Sequence, residues 1–279
     1  MNNYGVLQGR TEGKCTLRIA SNDPYSAELT AEQVGIIADI AEKYGSGFVH
    51  VTPRQTIEIP DIERAHIDKI KDFIKDSGLY TGSSDKYIRN VMACSRWCLY
   101  NASPFSDLAA GINRKYQNRK LPGKTLISLS GCDFSCVRSR TSDIGVIART
   151  EIKLTDKKCK HCSLCVKEPL GCQVDAITLT DEGVQIDTER CVRCGFCSNI
   201  CRPGTIDVKV RSFDIFLGGK GGVKPRKAEF FKNVNSEDTL LRYLDAILDG
   251  YISAAREGER VGDVIDRLGM GSMEIKDER

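Results

Sequence analysis

Hydrophobic and polar positions alternate over residues 14–21. Cys15, Leu17 and Ile19 fall on one face and Thr16 and Arg18 on the other, the pattern of a half-buried strand. Thr30 and Gln33 then form a capping box that opens a helix. Its predicted buried stripe is Val34, Ile37, Ala38, Ala41 and Tyr44, and Gly45 is its expected stop. Short strands are predicted in GFVHV (47–51) and QTIEI (55–59), separated by Pro53. Residues 61–77 return to helical spacing through Ile62, Ala65, Ile70, Phe73 and Ile74, ending at Gly78. The order strand–helix–strand–strand–helix predicts an α+β unit.

Further along, a helix is predicted near 103–117, with strands in TLISLS (125–130) and DIGVIART (143–150). FDIFLGG (213–219) reads as a strand expected to return to the first sheet. Leu240, Leu241, Leu244, Ile247, Leu248 and Tyr251 mark an amphipathic helix, and 260–268 a shorter one. The polar GSMEIKDER tail is expected to fray. These elements divide the chain into an α+β unit over 1–85, a second unit over 86–150, an insert over 151–210, and a return strand with C-terminal helices over 211–279.

Composition adds boundaries to this picture. A chain of 279 residues that is 41% hydrophobic and 28% charged can bury real cores, as a soluble globular protein does. A formal charge of +3 gives no reason to expect nucleic acid or a membrane surface as partner. The opening MNNYGVLQGR lacks the apolar stretch of a signal peptide, and no segment has the length of a membrane span. Thirteen cysteines without an export signal point to the cytoplasm and to metal ligation.

The cysteines are spaced informatively. Cys159, Cys162 and Cys165 are followed by Cys172, and Cys191, Cys194 and Cys197 by Cys201 with Pro203 close behind. Each run begins C-x2-C-x2-C, the start of a bacterial-type two-cluster ferredoxin, where the fourth cysteine of each run serves the other cluster. The spacing therefore assigns Cys159, Cys162, Cys165 and Cys201 to one [4Fe–4S] centre, and Cys191, Cys194, Cys197 and Cys172 to a second. Zinc sites usually pair C-x2-C units rather than tripling them, and disulfides need an oxidising compartment. This repeat makes 151–210 a two-cluster ferredoxin insert. Four more cysteines come as C-x3-C pairs, Cys94 with Cys98 and Cys132 with Cys136. By spacing alone they can hold another cubane, a zinc ion, or nothing.

The segment NVMAC, then LPGKTLISLSGCDFSC and DIGVIA, resembles the sirohaem-binding half of sulfite and nitrite reductases. HVTPRQTIEIP is similar to that family's T-x-R-Q connection, and GVLQ with LRIA to its first strand. FLGGKGGVKPR is similar to a Gly-Gly strand that follows the ferredoxin insert in the anaerobic and dissimilatory types. The resemblance covers nearly the whole chain. It implies an α+β sulfite-reductase half with a ferredoxin-like unit over 1–85, a sirohaem/[4Fe–4S] unit over 86–150 and the ferredoxin insert.

Carried over by position, the resemblance makes Cys94, Cys98, Cys132 and Cys136 ligands of a third [4Fe–4S] cluster, with Cys136 bridging to sirohaem. Arg18, Arg54 and Arg89 match arginines that bind sirohaem carboxylates or the anionic substrate, a role suited to permanently charged, bidentate donors. The family's first pair is usually C-x5-C, two residues longer than ACSRWC. Its K-x-K pair is here Lys124 and Leu126, so Lys124 carries that load alone, with Arg138 or Arg140 as compensating cations. The implied activity is multi-electron reduction of sulfite or a related small oxyanion, with electrons relayed through the ferredoxin clusters. The alternative is a three-cluster electron-transfer subunit without sirohaem. Expected partners are an electron-donor protein, flavoprotein or iron–sulfur subunit, and a second copy or homologous subunit, because the family's catalytic unit combines two such halves.

Other conspicuous residues read as structural. His50, His66 and His161 show no ligand spacing, with His161 solvent-facing. Trp97 either shields the third cluster or fills the core. Cys15 is a packed thiol. GGKGGVKPR lacks the Gly-Lys-Ser/Thr of a phosphate loop and reads as a basic turn, with Lys220 and Arg226 as weak sirohaem contacts.

Overall fold

The computed structural model describes residues 4–273 except 27, 83, 85, 101–104 and 118. Alternation over Lys14–Ser21 yields strand β2, flanked by β1 (Val6–Gln8), β4 (Ile57–Glu63) and β5 (Leu79–Thr81). β3 (His50–Val51) completes this antiparallel sheet beyond β4. Helices α1 (Ala31–Tyr44) and α2 (Ile67–Ile74) cover one face, where Cys15, Leu17 and Ile19 meet Ile37, Ile40, Ile59, Ile70 and Ile74.

The Thr30–Gln33 capping box forms in both directions, at 3.1 and 3.0 Å. The buried stripe of α1 is displaced from the predicted one. Val34 and Ala38 are exposed, whereas Gln33 and Ile40 face inward. The Gln33 amide spans two loops, donating to the carbonyls of Asp23 (2.8 Å) and Ser77 (2.9 Å), and this rotates the helix. Gly45 ends α1 for a steric reason: a Cβ there would stand 2.8 Å from Ile59 Cγ2 and 3.0 Å from the Pro60 carbonyl. The helix predicted over 61–77 is shorter. Ile62 belongs to β4, a 3-10 turn spans Arg64–His66, and Ala65 and Phe73 are exposed.

The second sheet runs β12 (Glu229–Val234), β11 (Ile206–Leu217), β8 (Ile144–Leu154), β7 (Ile127–Ser130), β6 (Met92–Ala93). FDIFLGG therefore returns to this sheet, not the first, pairing with β8 and β12. Phe213, Ile215 and Leu217 alternate into the same core as Ile144, Val146 and Ala148, and that shared apolar face decides the pairing. Helices α3 (Ser106–Tyr116), α5 (Glu237–Ala254) and α6 (Val261–Leu268) pack on this core, so 211–273 and 86–150 share one hydrophobic interior. Positions 103 and 104 of the predicted helix, and 274–279 of the polar tail, lie outside the described residues.

β8 and β11 continue beyond the core as a paired ladder up to Leu154 opposite Ile206. Residues 155–205 fold at its tip, with a hairpin of β9 (Ile177–Thr180) and β10 (Gly183–Ile186) and the short helix α4 (Phe196–Ile200). Their interior is small: Cys165 and Cys197 join Ile177, Val184 and Ile206.

Asp143, fully buried, anchors α6 to the second sheet. Its carboxylate accepts from Arg260 at 2.9 and 2.5 Å and from the Leu126 amide at 2.8 Å. Arg260→Met should strand that carboxylate and lower stability by about 3–5 kcal/mol, read as a shift of the denaturant midpoint. A midpoint equal to the parent's would show that Asp143 does not depend on Arg260.

Candidate redox centre and anion pocket

In the second sheet β6 and β7 run parallel, and a cysteine pair begins where each ends. Cys94 directly follows β6, and Gly131-Cys132 follows β7. The Cys94 amide donates to the Leu129 carbonyl at 3.1 Å, and the Gly131 amide donates to Cys94 Sγ at 3.3 Å. The loop after Cys132 folds back beneath β7, where Ser139 Oγ meets Ser130 Oγ at 2.7 Å and the Ser128 carbonyl at 3.0 Å. That loop passes so close that a Cβ on Gly145 would stand 1.8 Å from the Ser139 carbonyl oxygen. Cys132 is buried while Cys98 and Cys136 are exposed. Burial, with Cys94, Cys98 and Cys194 nearby, raises the Cys132 pKa to about 11. Cys94 is raised too, by burial and then by Cys136 and Cys98.

Eight further cysteines gather around two cavities at the tip of the β8–β11 ladder. Cys159, Cys162, Cys165 and Cys201 line one, together with Leu164 and Pro203. Cys172, Cys191, Cys194 and Cys197 line the other, with Cys165 at its border. The electrostatic neighbours fall into the same sets. Cys165 is raised by burial and by Cys162, Cys159 and Cys201. Cys197 is pushed up to about 12 by burial and by Cys194, Cys191 and Cys172. Among the described residues no three His, Cys, Asp or Glu side chains form a group that could hold a metal ion. The thiols instead stand around their cavities, a donor set chemically suited to a cubane, which takes one thiolate at each of four corners.

The second loop set touches the third. Cys132 feels Cys194, and Tyr100 packs against Phe134 (5.6 Å between ring centres) and Phe196 (4.3 Å). Trp97 neither fills a core nor is covered: it is 76% exposed, with the Arg96 guanidinium 5.0 Å from its ring.

The cations converge from the other side. Thr52 and Thr56 close the 52–55 turn through their hydroxyls at 2.6 Å, and Gln55 sits there at a left-handed φ of 57°. The Gln55 amide lies against one residue of β6, donating to the Ala93 carbonyl (2.8 Å) and accepting from the Ala93 amide (3.0 Å). Asn90 donates to the Arg54 carbonyl at 3.0 Å. The Arg54 guanidinium is thus carried to the joint between the two sheets, where its Nε is buried without a hydrogen-bond partner among the described residues. The Arg89 amide donates to the Thr125 carbonyl at 2.9 Å, which sets Arg89 beside Lys124. Burial and then Arg54, Arg89 and Arg260 hold the Lys124 ammonium below its usual pKa, against the pull of Asp143. Burial and then Arg18 depress Arg54, with Arg138 adding to the effect and Glu58 opposing it.

Not every sequence candidate is available. Arg18 is not free to face a cavity: it grips Glu58 through Nε (3.1 Å) and a terminal nitrogen (2.5 Å), and Glu58 also meets His50 at 2.9 Å. Arg140 pairs with Asp133 and lies 4.9 Å over the Phe216 ring. Lys220 pairs with Asp263, and Arg226 with Glu229 and Asp266, so both hold the basic turn to its surroundings. Cys15 is a packed thiol, its Sγ donating to the Ile62 carbonyl at 3.3 Å, and His161 faces solvent. Sequence reasoning missed Gln55, Asn90 and Glu58. The T-x-R-Q string contained Gln55, but nothing in it revealed which backbone the amide would meet.

Residues 84–274 match the family model for the nitrite and sulphite reductase 4Fe-4S domain, and residues 8–77 match the nitrite/sulfite reductase ferredoxin-like half domain. An uncharacterised protein of Methanocaldococcus jannaschii is 29% identical over 97% of this chain and 92% of its own length. The dissimilatory-type sulfite reductase subunit beta of Archaeoglobus fulgidus is 25% identical over 86% of this chain and 73% of its own. The crystal structure of a dissimilatory sulfite reductase shares the fold, with a TM-score of 0.74 at 19% identity over 93% of this chain and 68% of that one. Among the described residues no helix is long and apolar enough to cross a membrane.

A small inorganic oxyanion should bind more weakly as pH rises through the lowered pKa of Lys124, since the proton lost there takes a positive charge from the cluster of Lys124, Arg54 and Arg89. Lys124→Met should remove that alkaline arm in a calorimetric titration. An unchanged profile in the variant would detach Lys124 from the anion site.

Proposed function

The chain belongs to the nitrite and sulphite reductase 4Fe-4S family, and from that premise we propose that it reduces sulfite or a related small oxyanion with sirohaem and three [4Fe–4S] clusters. Membership makes it an oxidoreductase of the sulfite and nitrite reductase type with iron–sulfur chemistry. The carrying observation for sirohaem is the buried, unpartnered Nε of Arg54, set among Arg89, Lys124 and Arg138. Several desolvated cations with an unmet donor are unfavourable unless an anion completes them, and a porphinoid bearing many carboxylates is such an anion.

In this proposal Cys159, Cys162, Cys165 and Cys201 hold the first cluster and Cys172, Cys191, Cys194 and Cys197 the second. Cys94, Cys98, Cys132 and Cys136 would hold the third, and Cys136 would also help to hold sirohaem. When bound, the sirohaem–cluster pair supplies the electrons for reduction. The chain's own residues do the rest. Arg54 and Arg89 neutralise carboxylates and the oxyanion through fixed N–H donors. Lys124 places a proton-bearing ammonium at the pocket, and its depressed pKa eases release of that proton from Nζ. Glu58 cancels the charge of Arg18, leaving Arg18 a wall of the pocket rather than its main anion donor.

The insert 155–205 serves as the electron relay, its second cavity adjoining the third thiol set. The chain carries one ferredoxin-like half domain, so a second copy or a homologous subunit completes the assembly, and an electron-donor protein feeds the insert. Thirteen cysteines suit a reducing compartment, and the cytoplasm is the location that goes with this proposal.

Anaerobically purified protein should carry about twelve irons, four for each four-thiolate set. Its visible spectrum should show a Soret band and a red-region band. About eight irons with no Soret band would leave an electron-transfer protein without the catalytic centre. Lys124→Met should keep iron and sirohaem content while lowering sulfite turnover about a hundredfold, the usual cost of one lost electrostatic donor. Parental turnover in that variant would place the pocket elsewhere.

A further inference from the structure

Arg149 of β8 is 7% exposed and meets three segments at once. Its Nε holds Asp214 of β11 at 2.6 Å, one terminal nitrogen holds Asp133 at 2.5 Å, and the same nitrogen donates to the Val192 carbonyl at 3.3 Å. Asp133 lies between Cys132 and Cys136, and Val192 between Cys191 and Cys194. A single planar guanidinium therefore ties a loop of the third thiol set to a loop of the second, and both to the sheet. The next residue repeats the link, the Thr150 amide donating to the Arg193 carbonyl at 2.8 Å.

A merely structural ion pair needs only Asp214, which is also buried and already receives Asn233 at 2.7 Å. Asp133 and Val192 add nothing to the sheet, but each neighbours a cysteine. We propose that Arg149 is a positioning residue that sets the Cys191–Cys197 loop against the Cys132–Cys136 loop, and thereby the rate of electron passage between the groups held there. The proposal rests on the cluster assignment given above. One electron leaves the group at Cys172, Cys191, Cys194 and Cys197, which is oxidised, and enters the group at Cys94, Cys98, Cys132 and Cys136, which is reduced. The thiolate bonds stay intact and no proton moves. An external one-electron donor supplies the electron.

Arg149→Lys keeps the charge but not the planar fork that reaches three partners. Asp133→Asn weakens the links from Asp133 to Arg149 and to Arg140, and leaves the Arg149–Asp214 pair inside the sheet. Parent and variants, loaded with iron and sulfide and reduced with methyl viologen, would be compared by freeze-quench EPR. The variants should keep parental iron content while the magnetic broadening between the two signals diminishes. Appearance of the third-set signal should slow severalfold, since electron passage weakens as the two groups move apart. Unchanged broadening and rate in variants with full iron would overturn the proposal. If Arg149→Lys does not load, the comparison of Asp133→Asn with the parent decides between these outcomes. A parent protein lacking the two signals would overturn the cluster assignment and this proposal together.

Discussion

The side-chain amide of Gln55, laid against both polar groups of Ala93, holds the first sheet to the second at the point where chemistry begins. A buried peptide group must find a donor and an acceptor, and β6 is the edge of its sheet, with no further strand to supply them. Gln55 supplies them from the other sheet. The next residue after Ala93 is Cys94 and the residue before Gln55 is Arg54, so one clasp fixes both a thiol and a cation. Asn90 reinforces it through the Arg54 carbonyl, and is itself held by Tyr80 and Asn113 at 3.0 and 2.9 Å. Placing Arg54 in this way keeps a strongly hydrated group half-buried, which the polar frame around it makes possible.

The two halves of the site face opposite electrostatic demands. The thiols are pushed toward their neutral form by burial and by one another, whereas the arginines and Lys124 keep positive charge with little water. A metal cluster would draw thiolates out of the first group, and an anion would satisfy the second. Each half calls for a ligand of the sign it lacks, and the joint at Ala93 keeps the two halves adjacent.

Local chemistry was legible in the sequence, and long-range exchange of partners was not. The strand Lys14–Ser21 and the capping box at Thr30 depend on neighbours in sequence, and both form as read. Spacing predicts that each cysteine triplet pairs with the fourth cysteine of the other run, and the thiols line two cavities in that grouping, with Cys165 bordering both. Helix α1 turned instead around the amide of Gln33, because two distant carbonyls offered it hydrogen bonds. Ile62 has a helical neighbour pattern but lies in β4 opposite Cys15, a partner no local window contains. The partner of Arg18 was not legible either, because Glu58 sits forty residues away, across a strand pair. The destination of the return strand depended on which sheet its apolar face fitted, a question of complementary surfaces.

The ladder of β8 and β11 leaves the core as a pair and comes back as the same pair, Leu154 opposite Ile206. Everything from 155 to 205 therefore enters and exits through a gap about 5 Å wide, the spacing of adjacent strands. The strand pairing needs from that segment only that the two ends stay neighbours, a condition a two-residue turn also meets, while Val192 and Arg193 add hydrogen bonds to Arg149 and Thr150. Such a joint lets a whole module be gained or lost in one event while the core on the far side keeps its packing. Ancestry of the half with the cation pocket and ancestry of its tip can thus be separate histories, joined at a single hairpin.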